Sequence, residues 1–182
     1  MDRIGDWMQT ATGRKFWPLD PRPEDVDIED IAHALSNVCR FGGHCREFYS
    51  VAEHSVRVSD YVGALGGAPW HRLAGLLHDA TEAYLGDMIR PLKIQAEMVP
   101  FRLAEGRVEQ AIRLRFSVVT FATPLIKTAD EALLATEARD IMGGESAGKW
   151  QLHAPPLPDK IDPWISRWAR IRFLERFAEL TS

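Results

Sequence analysis

An all-α single domain is the fold class this sequence predicts, and three observations carry that expectation. Apolar residues recur at spacings of three and four along most of the chain, the spacing that lines one face of a helix. No segment sustains the alternation of a half-buried strand, and no internal repeat is visible. The length of 182 residues with 46% apolar and 26% charged residues suits one soluble globular unit spanning 1–182 with a sizeable core. About six main helices are expected, arranged as a bundle.

Residues 1–27 are expected to be irregular, punctuated by Gly13, Pro18, Pro21 and Pro23. A first helix starts near Asp27, with Ile28, Ile31, Leu35 and Val38 on one stripe. The stretch RFGGHCREFYS (40–50) is a loop: Gly42-Gly43 stops the helix and Ser50 caps the next. That second helix runs from Val51 to Leu65 and ends at GGAP (66–69). A third runs from about Trp70 to Leu85, with Gly86 as its stop, before a turn over 87–93. A charged helical region covers about 95–116, broken or restarted at Pro100. Pro124 opens a helix reaching Met142, and HAPPLPDK (153–160) is a rigid tether. The last helix, about 162–180, sets Ile161, Trp164, Trp168, Ile171, Leu174 and Phe177 on a broad apolar stripe packing on the core of about 28–142.

Composition excludes several classes. A formal net charge of −4 argues against a general nucleic-acid surface. No apolar run approaches the ~20 residues that cross a bilayer, and the amino-terminal stretch has early acids and no secretory apolar region. Cys39 and Cys45 are too few and too close for a disulfide framework, so a reducing, cytoplasmic setting is expected.

Chemistry gathers where polar residues fall on inward stripes. His54 lies one turn from Val58, which lies one turn from Val62. His78 follows Ala74 by four, and Asp130 lies four past Ile126 and three before Leu133. A lone core histidine is usually inert, but inward carboxylates are costly unless something neutralises them. His54, His78, Asp79 and Asp130 make a mixed nitrogen and oxygen set suited to one divalent ion, Mn, Fe, Co, Ni or Zn rather than Ca. Such an ion has open positions and lowers the pKa of water. Cys39, His44 and Cys45 lack a second pair at zinc-finger spacing. Glu82 shares a helical face with His78 four residues earlier and is placed to act as a general base. Asp87 reaches the same cavity from beyond Gly86. Arg40, His44, Arg46 and Lys93 lie in the flanking loops, where cations suit a phosphate.

With these residues assembled, the chain resembles the HD-domain superfamily of metal-dependent phosphohydrolases, through H…HD…D at His54, His78-Asp79 and Asp130. FYSVAEHSVRVSDYV and then LLHDATEAYLGDMIRPLK are similar to the bacterial 5′-deoxynucleotidase branch, over roughly residues 28–142. The resemblance implies an all-helical HD-domain bundle and a metal held by those four residues. It also implies that Glu82 activates water, Asp87 contacts the nucleotide sugar and Lys93 contacts phosphate. An arginine before the EHS helix binds substrate in that branch; Arg40 matches it, with Arg46 as the alternative because the loop differs in length and carries His44. The amino-terminal region is similar to a variant group of bacterial and phage phosphohydrolases, and the GYP turn of the cyclic-di-GMP phosphodiesterases is absent. The activity implied is that of a phosphomonoesterase acting on a nucleoside 5′-monophosphate or similar metabolite. A phosphodiesterase or pyrophosphohydrolase and a non-catalytic nucleotide-binding protein are the alternatives. A homodimer is a further implication, with the Trp- and Phe-rich last helix either offering apolar surface to it or closing the core.

Overall fold

In the computed structural model, which describes residues 3–143, 150 and 152–182, long helices dominate. Six of them have nine or more residues among the described residues: α1 (Ile28–Asn37), α2 (Val51–Ala64), α3 (Pro69–Leu77), α6 (Val99–Phe116), α7 (Pro124–Asp140) and α8 (Ser166–Thr181). Two short helices, α4 (Glu82–Leu85) and α5 (Arg90–Lys93), lie between α3 and α6. The all-α architecture read from the sequence is what the chain forms.

The helix starts reflect local chemistry. Asp27 caps α1 by accepting from the Glu29 N–H, and Ser50 caps α2 by accepting from Glu53 at 3.1 Å. Thr123 caps α7, whose first turn holds Pro124. Pro100 sits in the first turn of α6 and starts that helix instead of breaking it.

Helix α2 is the centre of the bundle, packed by α1, α3, α7 and α8. Val51, Val56, Val58 and Val62 are all buried, and so are the polar Glu53, His54, Ser55 and Ser59. Gly67 allows the turn out of α2, because a Cβ there would stand 2.7 Å from the Val62 carbonyl oxygen. Leu76 and Leu77 of α3 are fully buried, a burial that stabilises by about 1.5–3 kcal/mol for each side chain.

Three expectations need correction. The amino-terminal region is not wholly irregular: β1 (Met8–Gln9) and β2 (Lys15–Phe16) form an antiparallel hairpin. Its turn docks on α1, where Asp30 accepts from the Thr12 N–H at 2.7 Å and the Thr12 hydroxyl at 2.8 Å. Two-residue strands are too short to show alternation. The expected third helix is divided, since α3 ends at Leu77 and α4 begins at Glu82. His78 Nδ1–H donates to the Gly75 carbonyl at 2.7 Å, so a side chain occupies an acceptor of the last turn, and three-residue bonds carry the chain onward.

The last helix starts at Ser166, later than expected. Pro163 disfavours helical backbone at Asp162, and Ile165 is still extended (φ −63°, ψ 148°). Its buried positions are Ala169 and Phe173, with Leu174, Phe177 and Leu180 packed beside them, while Trp168 is 47% exposed. The stripe is therefore rotated from the one expected, and α8 closes over α1, α2 and α3.

Candidate metal centre

The amino-terminal half of α2 points His54 into the core, where its ring is fully buried. Its Nδ1 lies 2.6 Å from Glu137 Oε1 of α7. The turn after α3 supplies His78 and Asp79, and His78 Nδ1 faces the Gly75 carbonyl at 2.7 Å. An ionised carboxylate and a carbonyl only accept hydrogen bonds, so both imidazoles carry a proton on Nδ1. In the neutral rings the Nε2 lone pairs then face the same space, and these two atoms stand 3.4 Å apart.

Oxygen donors complete the cluster. Asp79 Oδ2 lies 3.3 Å from His78 Nε2 and 3.6 Å from His54 Nε2. One ligand atom from each of His54, His78 and Asp79 falls within 4.8 Å of the others, a group that can hold a metal ion. Asp130 Oδ1 of α7 approaches from the other side, 3.2 Å from His54 Nε2 and 3.9 Å from His78 Nε2. Its side chain is 43% exposed, so Asp130 is not buried as its inward spacing suggested; it stands where the cluster meets solvent. Converging imidazole lone pairs beside two carboxylates fit a divalent cation by donor chemistry.

The electrostatics are strongly coupled. Burial opposes a charge on His78, but Asp79, Asp130 and the Gly75 carbonyl overcome it and hold His78 up at about 9. Burial likewise opposes the Asp79 charge, and His78, His54 and Arg40 outweigh it, holding Asp79 well below the carboxylate range. For Glu82, burial and the neighbouring acids Asp79 and Asp87 act together and push it well above its usual range. Glu82 Oε2 is buried without a hydrogen-bond partner among the described residues. Asp87 is raised by burial and by Asp79, partly offset by Arg40 and by the backbone N–H of Phe41.

The turn after α1 places the cation. Phe41, Gly42 and Gly43 all adopt positive φ, a conformation glycine accepts freely and phenylalanine does not. Arg40, at the start of this turn, is bound through Nε and Nη2 to Glu137 Oε2 at 3.2 and 3.1 Å, while its Nη1 lies 3.4 Å from Asp79. Arg40 thus joins the cluster.

His44 and Arg46 do not. His44 is exposed, and Arg46 is exposed beside the end of α7, its N–H donating to the Ile141 carbonyl at 2.9 Å and its side chain near Gly143. The loop carries both past the cluster, through a bridge between Cys45 and Met142. Lys93 is paired with Glu105 at 2.6 Å, although its charge still bears on Glu82. The expected helical face shared by His78 and Glu82 is interrupted by the turn between them, and Glu82 nonetheless begins α4 beside Asp79, its N–H donating to the Asp79 carbonyl at 3.0 Å.

Glu137 is the participant that sequence reasoning missed. It is fully buried, and Arg40 and His54 hold it below its usual range against the opposing effect of burial. A signal existed: Glu137 lies seven residues past Asp130, two turns along the same helix face.

No protein-family model matches the chain. Two curated proteins are similar along most of its length. An uncharacterized protein of Escherichia coli (strain K12), YfdR, is 34% identical over 179 residues, covering 96% of this chain and 96% of that protein. An uncharacterized protein of Rhodobacter capsulatus is 38% identical over 171 residues, covering 91% of this chain and 86% of its own length. Neither name assigns an activity.

Proposed function

This chain belongs to the same family as YfdR of Escherichia coli, and we propose, from its own residues, that it is a metal-dependent phosphohydrolase of the HD-domain type. Its substrate in this reading is a nucleoside 5′-monophosphate or a similar small phosphorylated metabolite, from which it releases inorganic phosphate. The observation that supports this most is the convergence of two imidazole Nε2 atoms and two carboxylates from α2, the turn after α3, and α7. His54, His78, Asp79 and Asp130 would hold one divalent ion, Mn, Co, Fe, Ni or Zn. That ion supplies Lewis acidity toward a phosphoryl oxygen and toward water.

The chain's own groups divide the remaining work. Glu82, whose proton affinity is raised by burial and by the neighbouring acids Asp79 and Asp87, is the general base in this reading. Arg40 offsets charge on the phosphate, with its guanidinium already held at the cluster by Glu137. Asp87, beyond Gly86 and raised by burial, is the acceptor for a sugar hydroxyl. Arg40 fills the arginine role in preference to Arg46, which stands at the end of α7. The unbridged thiols Cys39 and Cys45 suit a reducing cytoplasm. Among the described residues no helix is long and apolar enough to cross a membrane.

A phosphate-release screen over nucleoside 5′-monophosphates, their 2′-deoxy forms and sugar phosphates, repeated with each divalent metal, tests this reading. Equal yields of nucleoside and phosphate are expected from at least one nucleotide. Cleavage confined to cyclic or pyrophosphorylated nucleotides would replace the monoesterase with a phosphodiesterase or pyrophosphohydrolase. Nucleotides bound with no turnover on any metal would contradict an enzyme altogether.

A further inference from the structure

Glu137 makes two contacts of different kinds from the two oxygens of one buried carboxylate. Oε1 accepts from Nδ1–H of His54, 83 positions away in sequence, at 2.6 Å. Oε2 accepts from Nε and Nη2 of Arg40, 97 positions away, at 3.2 and 3.1 Å. A buried carboxylate is costly unless its oxygens are satisfied, and both are satisfied here by groups of the candidate site. We propose that Glu137 is a positioning residue coupling the two halves of that site, holding His54 as a ligand through one oxygen and Arg40 as the phosphate contact through the other. This rests on the phosphohydrolase reading above for the jobs of His54 and Arg40, while the contacts themselves do not.

The chemistry of each half comes from what a carboxylate does. Because it only accepts, Glu137 keeps the His54 proton on Nδ1 and the Nε2 lone pair facing His78 and Asp79. On the other side, the planar guanidinium fork is gripped along the Nε and Nη2 edge, which fixes its plane. Nη1 is left toward Asp79 at 3.4 Å, the edge nearest the ligand cluster. Among the described residues, what else touches that side chain is Asp79 and the Phe41 ring, whose centre lies 5.3 Å from the guanidinium carbon. A displaced ring at His54 and a displaced fork at Arg40 therefore have one common cause.

The substitution Glu137→Gln separates the two jobs, because an amide presents one oxygen and one NH2. If the oxygen faces His54, the NH2 meets the donors of Arg40 and the guanidinium is released. If the amide turns over, NH2 meets Nδ1, the proton moves to Nε2 and the ligand is lost. Glu137→Ala removes both supports.

Three readouts on full-length protein test this: imidazole ¹H–¹⁵N spectra of the metal-free protein at one fixed pH, Mn(II) binding by calorimetry, and binding of inorganic phosphate. In the wild type the spectra should show a slowly exchanging Nδ1 proton on His54, and Glu137→Ala should lose it. Metal affinity should fall by about 10–100-fold in Glu137→Ala, the usual effect of removing such a supporting carboxylate. Phosphate binding to the metal-free protein should weaken as well, and in an Arg40→Ala background Glu137→Ala should add nothing to that loss while still weakening metal binding. Glu137→Gln should show one loss without the other, and it preserves volume if the alanine variant folds poorly. An unchanged Nδ1 signal with unchanged phosphate binding in Glu137→Ala would overturn the proposal. If the wild type binds no metal, the phosphohydrolase reading fails, and the Nδ1 and phosphate readouts still decide the role of Glu137.

Discussion

Phe16 and Tyr84 stack with ring centroids 3.8 Å apart and planes 14° from parallel, joining the amino-terminal hairpin to the short helix that begins at Glu82. The hairpin is thus part of the core that supports the site: Phe16 is fully buried, and Tyr84 lies two residues past Glu82. Phe16→Ala should destabilise the protein by about 3–5 kcal/mol, a drop of roughly 6–20 °C in the thermal midpoint for a chain of this size. A midpoint within a degree of the wild type would show that the hairpin contributes nothing to the fold.

Glu82→Gln keeps size and polarity but removes the proton acceptor. Turnover should fall by about 10²–10⁴-fold, the usual contribution of a general base, while metal content stays at the wild-type level. Steady-state kinetics alongside elemental analysis separate the outcomes. Turnover within a few-fold of wild type would remove Glu82 from the chemistry.

The pH dependence above neutrality draws on His78, held at about 9 against an ordinary value of 6.5, with His54 raised in the same direction. A folded pKa raised above the unfolded one contributes stability that is fully present below pH 6.5 and lost as pH rises through 9. Asp79, held well below its usual range, remains ionised across this window and adds no slope. In chelator the melting temperature should therefore decline from pH 6.5 to 9. Added metal competes with the His78 proton, so the stabilisation it confers should grow over the same interval. Melting curves with and without Mn(II) check both trends, and a metal-induced shift independent of pH would contradict the ligand role of His78.

Much of this arrangement is legible in the sequence because helical periodicity and caps are local. Asp27 and Ser50 announce their helices, and the Val58–Val62 stripe gives away the inward direction of His54. The features that were not legible depend on partners far along the chain or on a side chain competing with its own backbone. The division after Leu77 arises when a His78 nitrogen takes the Gly75 carbonyl, in a stretch whose apolar pattern still reads as continuous helix. The late start of α8 goes with Pro163 and with a long-range anchor just before the helix, the Trp164 N–H donating to Glu53. Glu137 shares its helix face with Asp130, but its partners Arg40 and His54 lie 97 and 83 positions away, so spacing along one helix does not show what it holds.

Glu53 supplies a fourth prediction. Its fully buried carboxylate accepts from the Trp164 N–H at 2.7 Å and from Arg57 at 2.7 Å, and the Arg57 guanidinium lies 4.9 Å from the centre of the Trp164 ring. Glu53→Ala leaves the Trp164 N–H without its acceptor, while Arg57 keeps the Asp162 carbonyl and the Trp164 ring, so the cost should be about 1–3 kcal/mol. Hydrogen exchange should accelerate at the Trp164 amide before it does so in α6. Unchanged protection at that amide would show that the carboxylate does not anchor the carboxy-terminal segment.

Calorimetric titration of Mn(II) into the wild type and into Asp79→Ala tests the metal centre itself most directly, with circular dichroism establishing that both are folded. The wild type should bind one ion and the variant none, together with loss of phosphate release. Wild-type affinity in folded Asp79→Ala, or no metal bound by the wild type, would contradict a divalent ion held by His54, His78, Asp79 and Asp130.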